Sequence, residues 1–232
     1  MYKLENIYKT YKGYESDNHA LNDIDLNLED GKVIVILGPS GSGKSTLLNI
    51  LSGIDKPTKG KIFFNDIRLD KLNEEELTNY RKNNLGFIFQ SYNLIPSLTV
   101  KENIELGSHL SNSHINMNEI IKKVGLEEHK NKYPYQLSGG QMQRVSIARA
   151  VSKNPSVLFC DEPTGALDEK TGKAVLELLQ MVNKNYKTTI IIVTHNPSIA
   201  LMAHKVIKMN SGKIVEISEN KEVKEAKELR WA

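Results

Sequence analysis

Stretches rich in Val, Ile and Phe alternate along the chain with amphipathic, charged ones. Residues 32–37 (KVIVIL) follow an Asp30-Gly31 turn signal and read as a buried strand. Later strand candidates are 60–64, 86–89, 157–160 and 188–193, while helices fit 45–51, 74–83 and 172–183. The near-continuous apolar character of the later strands predicts a parallel sheet covered on both faces. Strand–helix alternation predicts an α/β fold. The middle differs: 98–152 offers no strong strand, but 100–110, 118–124 and 140–152 are helix-like. The expected organisation is therefore a single domain over 1–232. Its core comprises 1–90 and 156–232, with 91–155 inserted as a helical subdomain. The last stretch, 218–232, is rich in Lys and Glu, with Val223, Ala226 and Leu229 at helical spacing. A solvated C-terminal helix is expected there.

Composition narrows the class. A chain of 232 residues suits one large α/β domain. The longest apolar runs, 33–37 and 190–193, have strand length, far below the roughly 20 residues of a membrane-spanning helix. The first residues lack the basic-then-apolar pattern of a signal peptide, so a cytoplasmic protein is expected. The lone cysteine, Cys160, lies in an apolar run and reads as a small buried hydrophobe. A net charge of +3 gives little support for a nucleic-acid surface, and no nucleic-acid partner is expected.

Candidate chemistry changes the picture most. Residues 38–45 (GPSGSGKS) match G-x-x-x-x-G-K-[ST], with a strand before and a helix after. Glycines let the backbone curl so that several N–H groups converge on phosphate oxygens, and the helix start adds about half a positive charge. The nucleotide-binding stretch is then Gly38, Pro39, Ser40, Gly41, Ser42, Gly43, Lys44, Ser45 and Thr46. Lys44 is placed to neutralise the β- and γ-phosphates of ATP, and Ser45 to hold Mg²⁺. The run 157–162 (VLFCDE) supplies two acids at the C-terminal end of a buried strand, where open α/β sheets bind ligands. Asp161 would hold Mg²⁺, and Glu162 would orient and deprotonate the attacking water.

A second anion cradle follows. Leu137-Ser138-Gly139-Gly140-Gln141 precedes a helix carrying Gln143, Arg144 and Arg149. Ser138 and the glycine N–H groups form another helix start suited to anions. One nucleotide does not need two cradles, so the second is expected to serve the ATP of another copy, in a two-fold, head-to-tail dimer. With these residues the sequence resembles the ABC ATPases across essentially its whole length.

The resemblance implies a P-loop NTPase core with a mainly parallel sheet, an N-terminal antiparallel β portion and an inserted helical subdomain. It also implies further roles. Gln90, after 86–89, resembles the Q-loop glutamine, a catalytic and metal-contacting position. Asp168 in 165–168 (GALD) resembles the D-loop aspartate. His195 in 193–196 (VTHN) resembles the switch histidine at the γ-phosphate. Tyr11 resembles the aromatic that stacks on adenine, with Tyr8 and Tyr14 as neighbouring alternatives. By the same resemblance Ser138, Gly139, Gly140 and Gln141 are nucleotide contacts. The other histidines (His19, His109, His114, His129, His204) lack ligand spacing and are expected at the surface.

Within the family, the chain is similar to the lipoprotein-releasing, MacB-type macrolide-export, antimicrobial-peptide-resistance and FtsE-type cell-division ATPases. The similarity rests on 38–43, 89–96 (FQSYNLIP), 98–103 (LTVKEN) and 161–168 (DEPTGALD). The stretch between Asn103 and Val124 is shorter than usual in that group, so part of a helix is expected to be missing. The implied function is an ATP-hydrolysing subunit that pairs around two ATP with a second copy or a paralogous ATPase and drives a separate membrane permease from the inner face of the membrane, for export or mechanotransmission. The alternative is an FtsE-like signalling ATPase that moves no substrate. Chromosome-maintenance and repair relatives need long coiled coils or zinc-binding cysteines, and this chain has neither.

Overall fold

The computed structural model describes residues 1–13, 16–110 and 115–230, so Tyr14 and His114 lie outside the described residues. In chain order the strands are β1 (Tyr2–Tyr11), β2 (Asn18–Leu28), β3 (Val33–Leu37), β4 (Lys59–Phe64), β5 (Ile67–Arg68), β6 (Leu85–Phe89), β7 (Val157–Asp161), β8 (Thr189–Thr194), β9 (Lys205–Asn210) and β10 (Lys213–Glu219). The helices are α1 (Lys44–Leu51), α2 (Glu74–Asn84), α3 (Val100–His109), α4 (Met117–Lys123), α5 (Gly139–Ser152) and α6 (Glu169–Tyr186). A six-stranded sheet runs β10-β9-β3-β8-β7-β6, parallel except for β10, and a four-stranded antiparallel sheet runs β2-β1-β4-β5.

The unbroken apolar strands have a simple cause. Successive side chains of a strand point to opposite faces, and here both faces are covered. Val33, Val35 and Leu37 pack with α3–α6 residues such as Ile104, Ile147 and Leu179. Ile34 and Ile36 pack with α1, α2 and the antiparallel sheet, against residues such as Leu47, Leu77 and Leu4. Cys160 is fully buried on the first of these faces, and burial pushes its thiol well above the usual range. Between β6 and β7 the described residues contain no strand, only α3, α4, α5 and 3-10 turns.

Register places the chemistry. Leu37 pairs with Thr194, and Asp161 with Val193, so β3, β8 and β7 end at one edge of the sheet. The loops that follow them therefore emerge side by side, which is where open α/β sheets bind ligands.

The C-terminal segment departs from expectation. Its described residues, 218–230, form no solvated helix. After β10 it runs as an irregular strap with one 3-10 turn, Ala226–Glu228, against α6. Ala226 is 0% and Leu229 1% exposed. The backbone is held by long-range bonds: Gln180 on α6 donates to the Lys224 carbonyl at 2.8 Å and accepts from the Ala226 N–H at 2.8 Å. A three-residue spacing of apolar side chains reads as helical, yet the same spacing suits a strap whose hydrogen bonds are supplied by a neighbouring helix.

Candidate functional site

A cavity of about 920 Å³ opens at the shared strand edge, lined by Tyr11, His19, residues 40–46, Asp161, Glu162 and His195, with Asn18, Ala20, Val193, Ser211 and Gly212. The phosphate-type loop forms its floor. Gly43 has φ 96°, and a Cβ there would lie 2.5 Å from the Ala20 carbonyl, so conformation and space both require glycine. α1 begins directly after it with no side-chain cap, which leaves its first N–H groups without intrahelical partners at the cavity. The Lys44 ammonium donates to the carbonyls of Gly38 (2.8 Å) and Pro39 (2.9 Å). An ammonium has three donors, so one remains for an anion.

The acids stand opposite. Asp161, half-buried, is held above the usual carboxylate range by burial and by the Glu162 charge, with Lys44 opposing. Glu162 has φ 47°, the left-handed region that an L side chain enters at a cost. Its turn is fixed: the Glu162 N–H donates to the Val193 carbonyl at 3.0 Å. Its carboxylate accepts from the Thr194 hydroxyl (3.1 Å), the His195 N–H (3.1 Å) and His195 Nδ1 (2.8 Å). An ionised carboxylate only accepts, so Nδ1 carries a proton and Nε2 is left unengaged by this pairing. To donate to a phosphate oxygen the ring must take a second proton or turn over.

Tyr11 stands at the cavity mouth. Its hydroxyl donates to Asp55 at 2.8 Å, and the Lys9 ammonium lies 4.8 Å from its ring centroid while pairing with Asp55 at 2.6 Å. The Tyr8 hydroxyl is instead bonded to Asp23, which raises its pKa, and Tyr8 does not line the cavity. Tyr11→Ala is expected to weaken ATP binding roughly five- to 150-fold, the equivalent of about 1–3 kcal/mol of base stacking, and Tyr8→Ala to do much less. Titration of both variants with nucleotide checks this; equal losses would move the stacking role away from Tyr11.

Other sequence candidates lie outside the cavity. Gln90 is exposed, its amide beside Gly165 in the turn after Glu162. Ser138 caps α5, its hydroxyl accepting from the Gln141 N–H (3.3 Å) while the Ser138 N–H donates to Gln141 Oε1 (2.8 Å). Asp168 caps α6, accepting from the Thr171 N–H (3.0 Å) and hydroxyl (2.7 Å), bonds that hold its carboxyl below the usual range. The two helix starts touch: a Cβ on Gly140 would lie 2.1 Å from Thr171 Cγ2, so glycine is required by close approach.

The sequence reading named Gln143, Arg149 and Asn103 within motifs but gave none of the contacts they make. Gln143, fully buried on α5, donates to the Pro163 carbonyl at 2.8 Å, tying that helix to the Glu162 turn. Arg149 donates to the carbonyls of Asn93 (2.7 Å) and Tyr92 (3.1 Å), both at positive φ, and so pins the loop after Gln90. Buried Asn103 bonds both the N–H and the carbonyl of Ile95. Two histidines are corrections. His204 is part-buried, its Nδ1 accepting from the Val33 N–H at 3.0 Å, and His129 is part-buried against Gln141. Only tertiary neighbours mark these positions.

Residues 21–165 match the family model described as ABC transporter. The chain belongs to the ABC transporter ATP-binding family. It is 46% identical over 232 residues to the putative ABC transporter ATP-binding protein MG065 homolog of Mycoplasma pneumoniae, covering 99% of this chain and 50% of that protein. The chain thus spans about half the length of that relative. It is also 44% identical over 214 residues to the bacitracin export ATP-binding protein BceA of Halalkalibacterium halodurans, covering 90% of this chain and 85% of the other. Among solved structures, the dimeric post-hydrolysis state of the ATP-binding cassette MJ0796, bound to ADP and Pi, superposes with a TM-score of 0.85 at 40% identity. That match covers 94% of this chain and 98% of the other. The MJ0796 protein is from Methanocaldococcus jannaschii. This member of the ABC family is an ATP-binding cassette and an ATPase. No helix among the described residues is long and apolar enough to cross a membrane.

Proposed function

We propose that two copies of this ABC cassette clamp two ATP molecules between them and drive a separate membrane permease. One observation carries the clamp: the chain has two anion-suited helix starts, α1 inside the cavity and α5 outside it. A nucleotide bound at α1 would leave the Ser138 start for a second copy's γ-phosphate. The dimeric state of the MJ0796 cassette supports this pairing, and the export role of the bacitracin relative supports a permease partner. On this reading the segment 91–155, with Gln90 at its root, passes the motion to the permease at the inner face of the membrane.

Within one site, Lys44 would meet the β- and γ-phosphates and Tyr11 the base. The donors here fit Mg²⁺: Ser45 and Asp161 are hard oxygen ligands in one cavity, and Asp161 is held above the usual range by burial and by the neighbouring Glu162 charge, a cost that a dication would offset. Bound there with phosphate oxygens, Mg²⁺ would shield phosphate charge. Glu162 would accept the proton of the attacking water, with Thr194 and His195 fixing its carboxylate. Sedimentation of the chain with and without Mg-ATP tests the clamp. A monomer that dimerises on adding ATP is expected, and a dimer indifferent to nucleotide would overturn the reading.

A further inference from the structure

We infer that His129 is a positioning residue for the α5 start, holding the Gln141 amide in the one orientation that keeps Ser138 capped. This rests on the reading above, in which Ser138 and its glycines meet the ATP of a second copy. The argument is one of donors and acceptors. The Ser138 N–H can only donate, so the Gln141 atom 2.8 Å from it must be Oε1. Gln141 Nε2 then faces His129 Nε2 at 2.8 Å and donates to it. His129 Nε2 must therefore be an unprotonated acceptor, and the ring proton sits on Nδ1, which is buried with no partner. The ring gains no hydrogen bond at Nδ1; its polar tie is to Gln141.

The ring stands on a fixed support. The His129 N–H donates to the carbonyl of Leu126, a fully buried residue, at 3.0 Å. The next residues are fastened to the start of α3, where the Lys101 N–H donates to the Lys130 carbonyl (2.9 Å) and the Val100 N–H to the Lys132 carbonyl (2.8 Å). Without an acceptor at His129, the Gln141 amide can turn, and the capping box that orients Ser138, Gly139 and Gly140 loosens. A helix start that must meet a phosphate on another copy works best when its donors are already aimed, because ordering them on contact costs affinity.

The test uses the full chain in a Glu162→Gln background with Mg-ATP. His129→Phe keeps the ring bulk without an acceptor, His129→Ala serves if Phe melts early, and His129→Gln offers an amide oxygen near the place of Nε2. Three quantities are read: hydrogen exchange at the Ser138 amide, ATP affinity of the monomer at low protein concentration, and the dimer constant. His129→Phe is expected to speed Ser138 exchange and leave monomer affinity unchanged. It should weaken the dimer about fivefold per site, so about 25-fold for two sites, the scale of one lost hydrogen bond at each. His129→Gln is expected to restore both exchange and dimer. Unchanged Ser138 exchange in both Phe and Ala variants overturns the inference, as does a Gln variant no better than Phe. A dimer that resists His129→Phe but is weakened by Ser138→Ala also overturns it. A dimer indifferent to Ser138→Ala overturns the clamp reading instead, and exchange at Ser138 then still decides whether His129 holds Gln141.

Discussion

Glu162→Gln is expected to slow ATP hydrolysis by about 10²–10⁴ while leaving ATP binding intact, and so to accumulate an ATP-bound dimer. A carboxylate can take a proton from water; an amide of the same shape cannot. The swap keeps the shape of the side chain and part of its bonding. The amide oxygen can still accept from Thr194 or from the His195 N–H, two of the three donors that fix Glu162. Removing one of two adjacent negative charges also relieves Asp161, whose carboxyl is raised partly by Glu162. The closed state should then face less repulsion around the γ-phosphate. Adding Ser138→Ala should weaken the trapped dimer. Single-turnover hydrolysis and size-exclusion chromatography with Mg-ATP read both effects. Wild-type turnover in the Gln variant would remove Glu162 as the base.

Lys44→Ala is expected to lose nucleotide affinity by about 3 kcal/mol or more, a hundredfold or greater. The Lys44 side chain is only 8% exposed and held by two carbonyls, so its third donor and its charge are already aimed at the cavity. A preordered cation gives up little side-chain entropy when an anion arrives. The fold should survive, because the rest of α1 is anchored by the fully buried Leu47 and Leu51. Calorimetric titration with Mg-ATP, alongside a thermal melt, separates the two outcomes. Near-normal affinity in a folded variant would end the assignment of Lys44 to the phosphates.

The inner strands were legible in the sequence because both sheet faces are apolar, so 33–37, 157–160 and 190–193 are unbroken hydrophobic runs. Helices α2, α3 and α5 were placed within a residue or so, and all three carry capping boxes: Asn73 with Glu76, Thr99 with Glu102 and Ser138 with Gln141. β1 and β2 were not placed from the residues; only the family resemblance implied an antiparallel portion there. Asn6 and Asp23 adopt positive φ, and register shifts break the pairing between Leu4 and Ile7, so alternation of period two is lost mid-strand. The site divides similarly. Residues 40–46, Asp161, Glu162 and His195 meet at one cavity. Gln143 and Arg149 stood out in the sequence, but their distant backbone partners, Pro163 and Asn93, left no local pattern to read.

The left-handed backbone at Glu162 bears on how this chain can change over generations. Glycine occupies that region freely and asparagine more easily than glutamate, while the penalty for a glutamate is on the order of 1 kcal/mol. A library of variants screened for folding alone would drift away from glutamate at 162, and one screened for turnover would hold it. Position 162 is thus a place where the two pressures can be told apart by counting survivors.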